Sequence, residues 1–152
     1  MTRGGDVNRP QVDIELLETT LQDDGSTIVL TTLEAWIESS LQHRLETFVA
    51  TTSPDVTYYE WFTQDGRIEG RNLHEDWIRE QPAPIDLMWT MEDVLVRLYD
   101  RVAVICYTLR IRALENTQVM SASSDETVVM EEHDGAWIVV HVHKSPHNAE
   151  PI

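Results

Sequence analysis

Residues 125–145, DETVVMEEHDGAWIVVHVHKS, set the terms for the whole chain. Two β-rich runs, 126–132 and 137–143, flank Asp134-Gly135. Both residues of an Asp-Gly pair tolerate positive φ, which a two-residue hairpin turn requires. The stretch therefore predicts a β-hairpin. Side chains alternate faces along a strand. Regular alternation puts Glu126, Val128, Met130 and Glu132 on one face of the first run. In the second run it puts Trp137, Val139, His141 and His143 on one face and Ile138, Val140 and Val142 on the other. A strand apolar on one side, with Trp and two His on the other, is expected to be covered on both.

Upstream of the hairpin the same strand grammar continues. Residues 118–132, 102–114 and 85–98 read as long strands, the last with a polar break at Glu92-Asp93. Tyr99-Asp100-Arg101 and Glu115-Asn116-Thr117 supply the turns. Further back, VTYYEWF at 56–62 is β-branched and aromatic, hence a strand, with Tyr58 and Tyr59 on opposite faces. Residues 64–66 turn the chain into a short strand at 67–69. Asn72 is then expected to cap a helix over 73–80, with Leu73, Trp77 and Ile78 as its apolar side.

The N-terminal third is helical in pattern. Ser26 is a candidate N-cap, and Val29, Leu33, Trp36, Ile37 and Leu41 form one stripe at helical spacing. A second helix over 45–51 stops at Ser53-Pro54-Asp55. Pro10 opens a short helix to about residue 22, with Ile14, Leu17 and Leu21 on one side. The expected organisation is an N-terminal extension (1–25), one domain (26–146) and a polar tail (147–152). Helices in front and a strand meander behind give an α+β fold, with a curved antiparallel or mixed sheet wrapping the long helix as a half-open cone. Pockets lie in the mouths of such barrels.

Composition narrows the function. Net charge is −16 over 152 residues, and no Lys/Arg cluster offsets it locally. Such a surface repels phosphate backbones, so nucleic acid and anionic membranes are not expected partners. No apolar run approaches a membrane span and the N-terminus is polar, so a cytoplasmic location is expected. Cys106 is single, which excludes an internal disulfide, and its apolar run predicts a buried, inert thiol. No phosphate loop, dinucleotide fingerprint or nucleophile elbow occurs, and no cofactor is expected.

Ile68-Glu69-Gly70 before a helix, and Trp137-x-x-x-His141-x-His143-x-Ser145 after an Asp-Gly turn, resemble the nuclear transport factor 2-like superfamily, which includes the SnoaL-like domains. Within it, the pattern is most similar to the association (hub) domain of calcium/calmodulin-dependent protein kinase II and its stand-alone bacterial relatives. Glu126-Thr127 and Asp134-Gly135 fall at matching spacing, and Glu69-Gly70 and His74 match the family's Glu-Gly and helix-borne His. The resemblance covers about residues 26–145. It implies the cone-shaped (cystatin-like) fold, self-association into a homodimer or larger ring, and a pocket. In the hub that pocket is lined by arginines. The corresponding positions are Leu109, Val128 and Lys144, with Arg110 able to replace one arginine if a bulge shifts the register. The pocket is therefore expected to be drier and less anion-selective. No kinase domain or calmodulin-binding segment precedes the domain, so kinase regulation is not expected to carry over.

The expected pocket comprises Tyr58, His74, Trp77, Trp89, Leu109, Arg110, Glu126, Val128, Met130, Val139, His141, His143 and Lys144. His141 and His143, with His74 or Glu126, have the residue types of a metal site, but nothing fixes a third ligand, so no metal is expected. Glu126 is expected to pair with Arg110 or Lys144, the alternative being a general base. An Asp-plus-Tyr arrangement of ketosteroid-isomerase type has only Asp93 with Tyr58 or Tyr59 to draw on. Two functions result. One is a non-catalytic module that self-associates and holds an unidentified small molecule. The other is an isomerase, cyclase or hydratase acting on an apolar carbonyl compound, with His74, Glu126 or His141 as base.

Overall fold

A computed structural model describes residues 11–12, 24–63 and 66–147. The elements run β1 (Gln11–Val12), α1 (Asp24–Leu41), α2 (Leu45–Thr51), β2 (Thr52–Tyr59), β3 (Ile68–Glu69), α3 (Asn72–Glu80), β4 (Ile85–Tyr99), β5 (Val102–Glu115), β6 (Gln118–His133) and β7 (Ala136–Pro146). The fold is α+β. One sheet of seven strands has the order β1-β4-β5-β6-β7-β2-β3. Strands β4 to β7 form an antiparallel meander, and β2 joins β7 in parallel.

The turns form as their residues dictate. Asp134 and Gly135 take φ of 52° and 84°, the left-handed pair a tight hairpin needs. Asp86 and Asp93 also have φ of 52°, and each marks a place where β4 slips one residue against β5. The polar break at Glu92-Asp93 is thus a β-bulge, and Asp tolerates its left-handed backbone better than a branched residue would. Gly70, at φ 82°, donates its N–H to the Val56 carbonyl at 2.7 Å and links β3 to β2 just before α3.

The core lies between α1 and one face of the sheet. Val29, Leu33, Trp36 and Ile37 are buried on α1, and Leu41 packs at its margin. Facing them are Leu87, Trp89, Met91, Ile105, Leu109, Val128, Met130, Val139 and Val142. Trp89 donates its indole N–H to Glu38 at 2.5 Å, tying β4 to α1.

Several expectations shift. At Gln11 and Val12 the chain is a strand paired in parallel with Thr90 and Met91, not a helix; the remainder of the expected 10–22 helix, with Ile14, Leu17 and Leu21, lies outside the described residues. Helix α1 starts at Asp24, so Ser26 sits within its first turn. Arg71, not Asn72, takes the N-cap position of α3 and makes no side-chain cap. Only Ile78 of the expected apolar side of α3 is buried, while Leu73 and Trp77 stand exposed. Strand β2 ends at Tyr59. Cys106 is half-buried on the outer sheet face, 3.7 Å from the Thr127 hydroxyl, not in the core.

Candidate functional site

The decisive local feature is a slip in the β6–β7 pairing. Val129 faces His141, but Met130 faces Val139, so Val140 is an extra residue in β7. A bulge reverses which side of the strand each later residue points to. Trp137 and Val139 point inward before it, and Val142 and Lys144 after it. His141 and His143 consequently lie on the outer face, beside Tyr59. This overturns the shared face expected for Trp137, Val139, His141 and His143.

The bulge aligns a polar row across the inner face. Tyr107 pairs with Glu126 and Glu126 with Lys144, while Glu60 follows directly on Tyr59, the partner of His143. Lys144 Nζ stands 3.8 Å from a Glu126 oxygen and 3.8 Å from a Glu60 oxygen. The carboxylate side chains of Glu60 and Glu126 are only 1 % and 2 % exposed. Tyr107 donates its hydroxyl to Glu126 at 2.7 Å, and Ser124 donates to the other oxygen. Burial, and then the charge and hydrogen bond of Glu126, push the Tyr107 phenol well up, so it stays a donor.

The row ends on α3. His74 Nε2 lies 3.0 Å from Glu60 Oε1, and Tyr58 stacks on the imidazole with centroids 3.9 Å apart. The Tyr58 phenol is also pushed up, first by burial and then by Glu60. Its hydroxyl and His74 Nδ1 are buried without a hydrogen-bond partner among the described residues. Lys144 sits 5.6 Å from the Phe62 ring centroid and 5.9 Å from that of Trp36, within cation–π range.

A cleft of about 460 Å³ opens over this row. Glu60, His74 and Lys144 give it polarity, and Phe48, Phe62, Leu73, Trp77 and Ile78 give it apolar walls. That explains the exposure of Leu73 and Trp77, which form its rim. Its volume suits a small organic molecule.

Of the expected pocket residues, His74, Trp77 and Lys144 line this cleft. Tyr58 and Glu126 lie behind it. Trp89, Leu109, Val128, Met130 and Val139 are packed in the core. Arg110 remains on the outer face, because Leu109 holds the inward register; its Nε donates to Glu92 at 2.8 Å and Nη1 to Ser123 at 3.2 Å. Glu126 therefore pairs with Lys144, not Arg110. His141 Nδ1 is bonded to the Thr57 hydroxyl at 2.7 Å. Burial lowers the His141 pKa, His143 lowers it further, and the Thr57 bond opposes both. Asp93 borders a separate outer groove with Cys106, Thr108 and His143, away from Tyr58. Among the described residues, no three His, Cys, Asp or Glu side chains gather as a metal site.

Glu60 was missed. Its signal was available in the alternation of Tyr58, Glu60 and Phe62, which share one side of the expected strand. Nearby, His43 donates from Nδ1 to the Gln81 carbonyl at 2.8 Å.

Comparison with known proteins agrees with this architecture. The chain matches the family model of the calcium/calmodulin-dependent protein kinase II (CaMKII) association domain over residues 25–148. The CaMKII hub homology domain of C. reinhardtii is 25 % identical, with a TM-score of 0.73 over 82 % of this chain and 99 % of that one. A CaMKII association-domain protein from Xanthomonas campestris is 17 % identical, with a TM-score of 0.70 over 85 % and 92 %. A cystatin-like-fold protein from Caulobacter vibrioides is 17 % identical, with a TM-score of 0.63 over 84 % and 92 %. No curated protein matches the chain. The family match spans most of the described fold, and the chain belongs to the CaMKII association-domain family.

Proposed function

We propose that the chain is a self-association module whose outer sheet face packs on a second copy and whose cleft holds a small molecule. The observation that carries this is the composition of the outer face. Leu95 and Tyr99 are 44 % and 59 % exposed, and Val102, Val104, Cys106, Val129 and Ile138 are only half-buried beside them. A contiguous apolar sheet face of this kind is the usual mark of an interaction surface. Family membership supports self-association, and the cleft supports ligand binding. A cytoplasmic location remains part of the proposal. Sedimentation velocity at micromolar concentration is expected to show a dimer or larger assembly. Val104→Glu, which puts a charge in the centre of that face, is expected to yield a folded monomer. A wild-type monomer would sink the self-association reading.

A second reading is favoured by the His74–Glu60 pair. Among the three candidate bases, His141 is on the outer face and Glu126 is held by Tyr107, Ser124 and Lys144. Only His74 borders the cleft with a carboxylate to orient it. An isomerase, cyclase or hydratase acting on an apolar carbonyl compound would use it as base. Hydrogen–deuterium exchange α to the carbonyl of cyclohexanone, followed by NMR, tests this. Exchange faster than buffer that is lost in His74→Ala supports the enzyme; no acceleration counts against it.

A further inference from the structure

The row beneath the cleft is unbalanced in charge. Glu60 and Glu126 present two carboxylates, and Lys144 presents one ammonium, 3.8 Å from each. That distance leaves Lys144 shared between them and short of a close hydrogen bond to either. Glu126 has two hydroxyl donors in compensation. Among the described residues, Glu60 has only His74 beside its share of Lys144. For His74 to contribute a positive charge, both ring nitrogens must carry protons, and Nδ1 is buried with no acceptor among the described residues. A stranded charged N–H is costly. With Nε2–H donated to Glu60, Nδ1 instead presents a lone pair. The Tyr58 residue is 1 % exposed, and its hydroxyl, within reach of the Glu60 charge, also has no partner among the described residues. Buried charge seeks a partner of opposite sign.

The walls have the matching chemistry. Phe48, Phe62 and Trp77 face the cleft with Leu73 and Ile78. Aromatic faces attract cations, and Lys144 already exploits Phe62 and Trp36 in this way. A ligand carboxylate here would meet the Glu60 carboxylate, and the cleft's Lys144 ammonium is already shared between Glu60 and Glu126.

We infer that the cleft takes a small organic ammonium ion, its cationic head on Glu60 and its hydrocarbon on Phe62, Leu73 and Trp77. This rests on the reading of the cleft as a ligand site. Within it, Lys144 is the internal competitor for Glu60, so removing its charge strengthens binding. A site built for anions demands the opposite.

Calorimetric titration and thermal shift with n-hexylammonium, hexanoate and 1-hexanol, three probes of equal chain length, test the inference on the whole chain. Hexylammonium is expected to bind and raise the melting temperature, hexanoate to do neither, and hexanol to bind at least tenfold more weakly. Glu60→Gln is expected to weaken hexylammonium binding at least tenfold while keeping a cooperative unfolding transition. Lys144→Met is expected to tighten it severalfold; if that variant does not fold, the Glu60→Gln result decides alone. Hexanoate or hexanol binding as well as hexylammonium overturns the ammonium assignment and leaves the cleft a ligand site. Unchanged hexylammonium binding in Glu60→Gln, or weaker binding in folded Lys144→Met, also overturns the assignment. Binding of none of the three overturns both readings.

Discussion

The two faces of the β6–β7 hairpin hold their polar groups in opposite ways. On the inner face Glu126 and Lys144 lie opposite each other beneath the cleft and are drawn into contact with Glu60, Tyr107 and Ser124. On the outer face His141, His143 and Thr127 lie in the neighbouring positions, with His143 exposed and His141 bonded to Thr57. The inner groups depend on one another, because a buried charge loses its compensation when its partner goes. The outer groups lie closer to water, which screens their interactions, so each depends less on its neighbours. One extra residue, Val140, decides which side chains join which set.

Deleting Val142, one residue past the bulge, gives the sharpest test of that difference. The bulge at Val140 stays, but alternation beyond it is reversed, so His143 turns inward and Lys144 outward. An imidazole would then enter the core row and the Glu60–Glu126 pair would lose its cation. Loss of the cooperative unfolding transition, followed by circular dichroism, is the expected result. A deletion variant that melts like wild type would mean that the two faces are interchangeable.

Breaking the inner set at one point comes next. Lys144→Met is expected to cost about 3 kcal/mol in urea unfolding at pH 7, because it leaves two carboxylates without a cation. Combining it with Glu60→Gln and Glu126→Gln is expected to recover much of that loss, since the neutral trio needs no cation. Failure of the triple variant to recover would show that packing of the Lys144 stem, not its charge, holds the site.

Most of this architecture is legible in the residues, and the part that is not has a single physical origin. The Asp134-Gly135 turn, the α1 stripe from Val29 to Ile37 and the strands of the meander follow from local preferences and periodicity. Periodicity of two assumes unbroken pairing, and nothing in Ile138-Val139-Val140-His141 marks where an extra residue enters. Three apolar residues in a row allow the slip at any of them. The pairing partner on β6 fixes it, and that partner is a tertiary fact. Regular alternation within the hairpin therefore turns His141 and His143 inward and gives no separate sign of Glu60. Arg110 illustrates the reverse case: the sequence allows a bulge in β5, where the β5–β6 register is regular. The Lys144–Glu126 pairing was within reach, because it depends only on opposite charge and the hairpin's far end.

A smaller effect belongs to the outer set. Burial and His143 hold the His141 pKa below the ordinary value of about 6.5. Below that value the unfolded chain binds more protons than the folded one, so stability falls as pH drops from about 7 through the depressed folded pKa, then levels off. His141→Gln keeps a polar group near Thr57 but cannot titrate. Its melting temperature, compared with wild type, is expected to gain progressively as pH falls from about 7 to 5. A constant difference across that range would show that His141 acts through packing, and the outer groups would then resemble the inner ones.

The smallest expected effect lies at the residue that the family resemblance offers, given a bulge, as a replacement for a pocket arginine. Arg110 pairs with Glu92 on the outer face, and both side chains are more than a third exposed, at 39 % and 46 %. Exposed pairs of this kind contribute little, because water screens them and two long side chains must be held still. Arg110→Ala is therefore expected to change stability by less than about 0.5 kcal/mol in urea unfolding and to leave hexylammonium binding unchanged. The measurement also reports on self-association. If a second copy covers this part of the sheet, the Arg110–Glu92 pair is desolvated in the assembly, and its loss becomes concentration-dependent. A cost that grows with protein concentration would extend the interface to the Arg110 end of β5. A cost above about 2 kcal/mol at every concentration would place Arg110 among the mutually dependent groups and erase the distinction between the two faces.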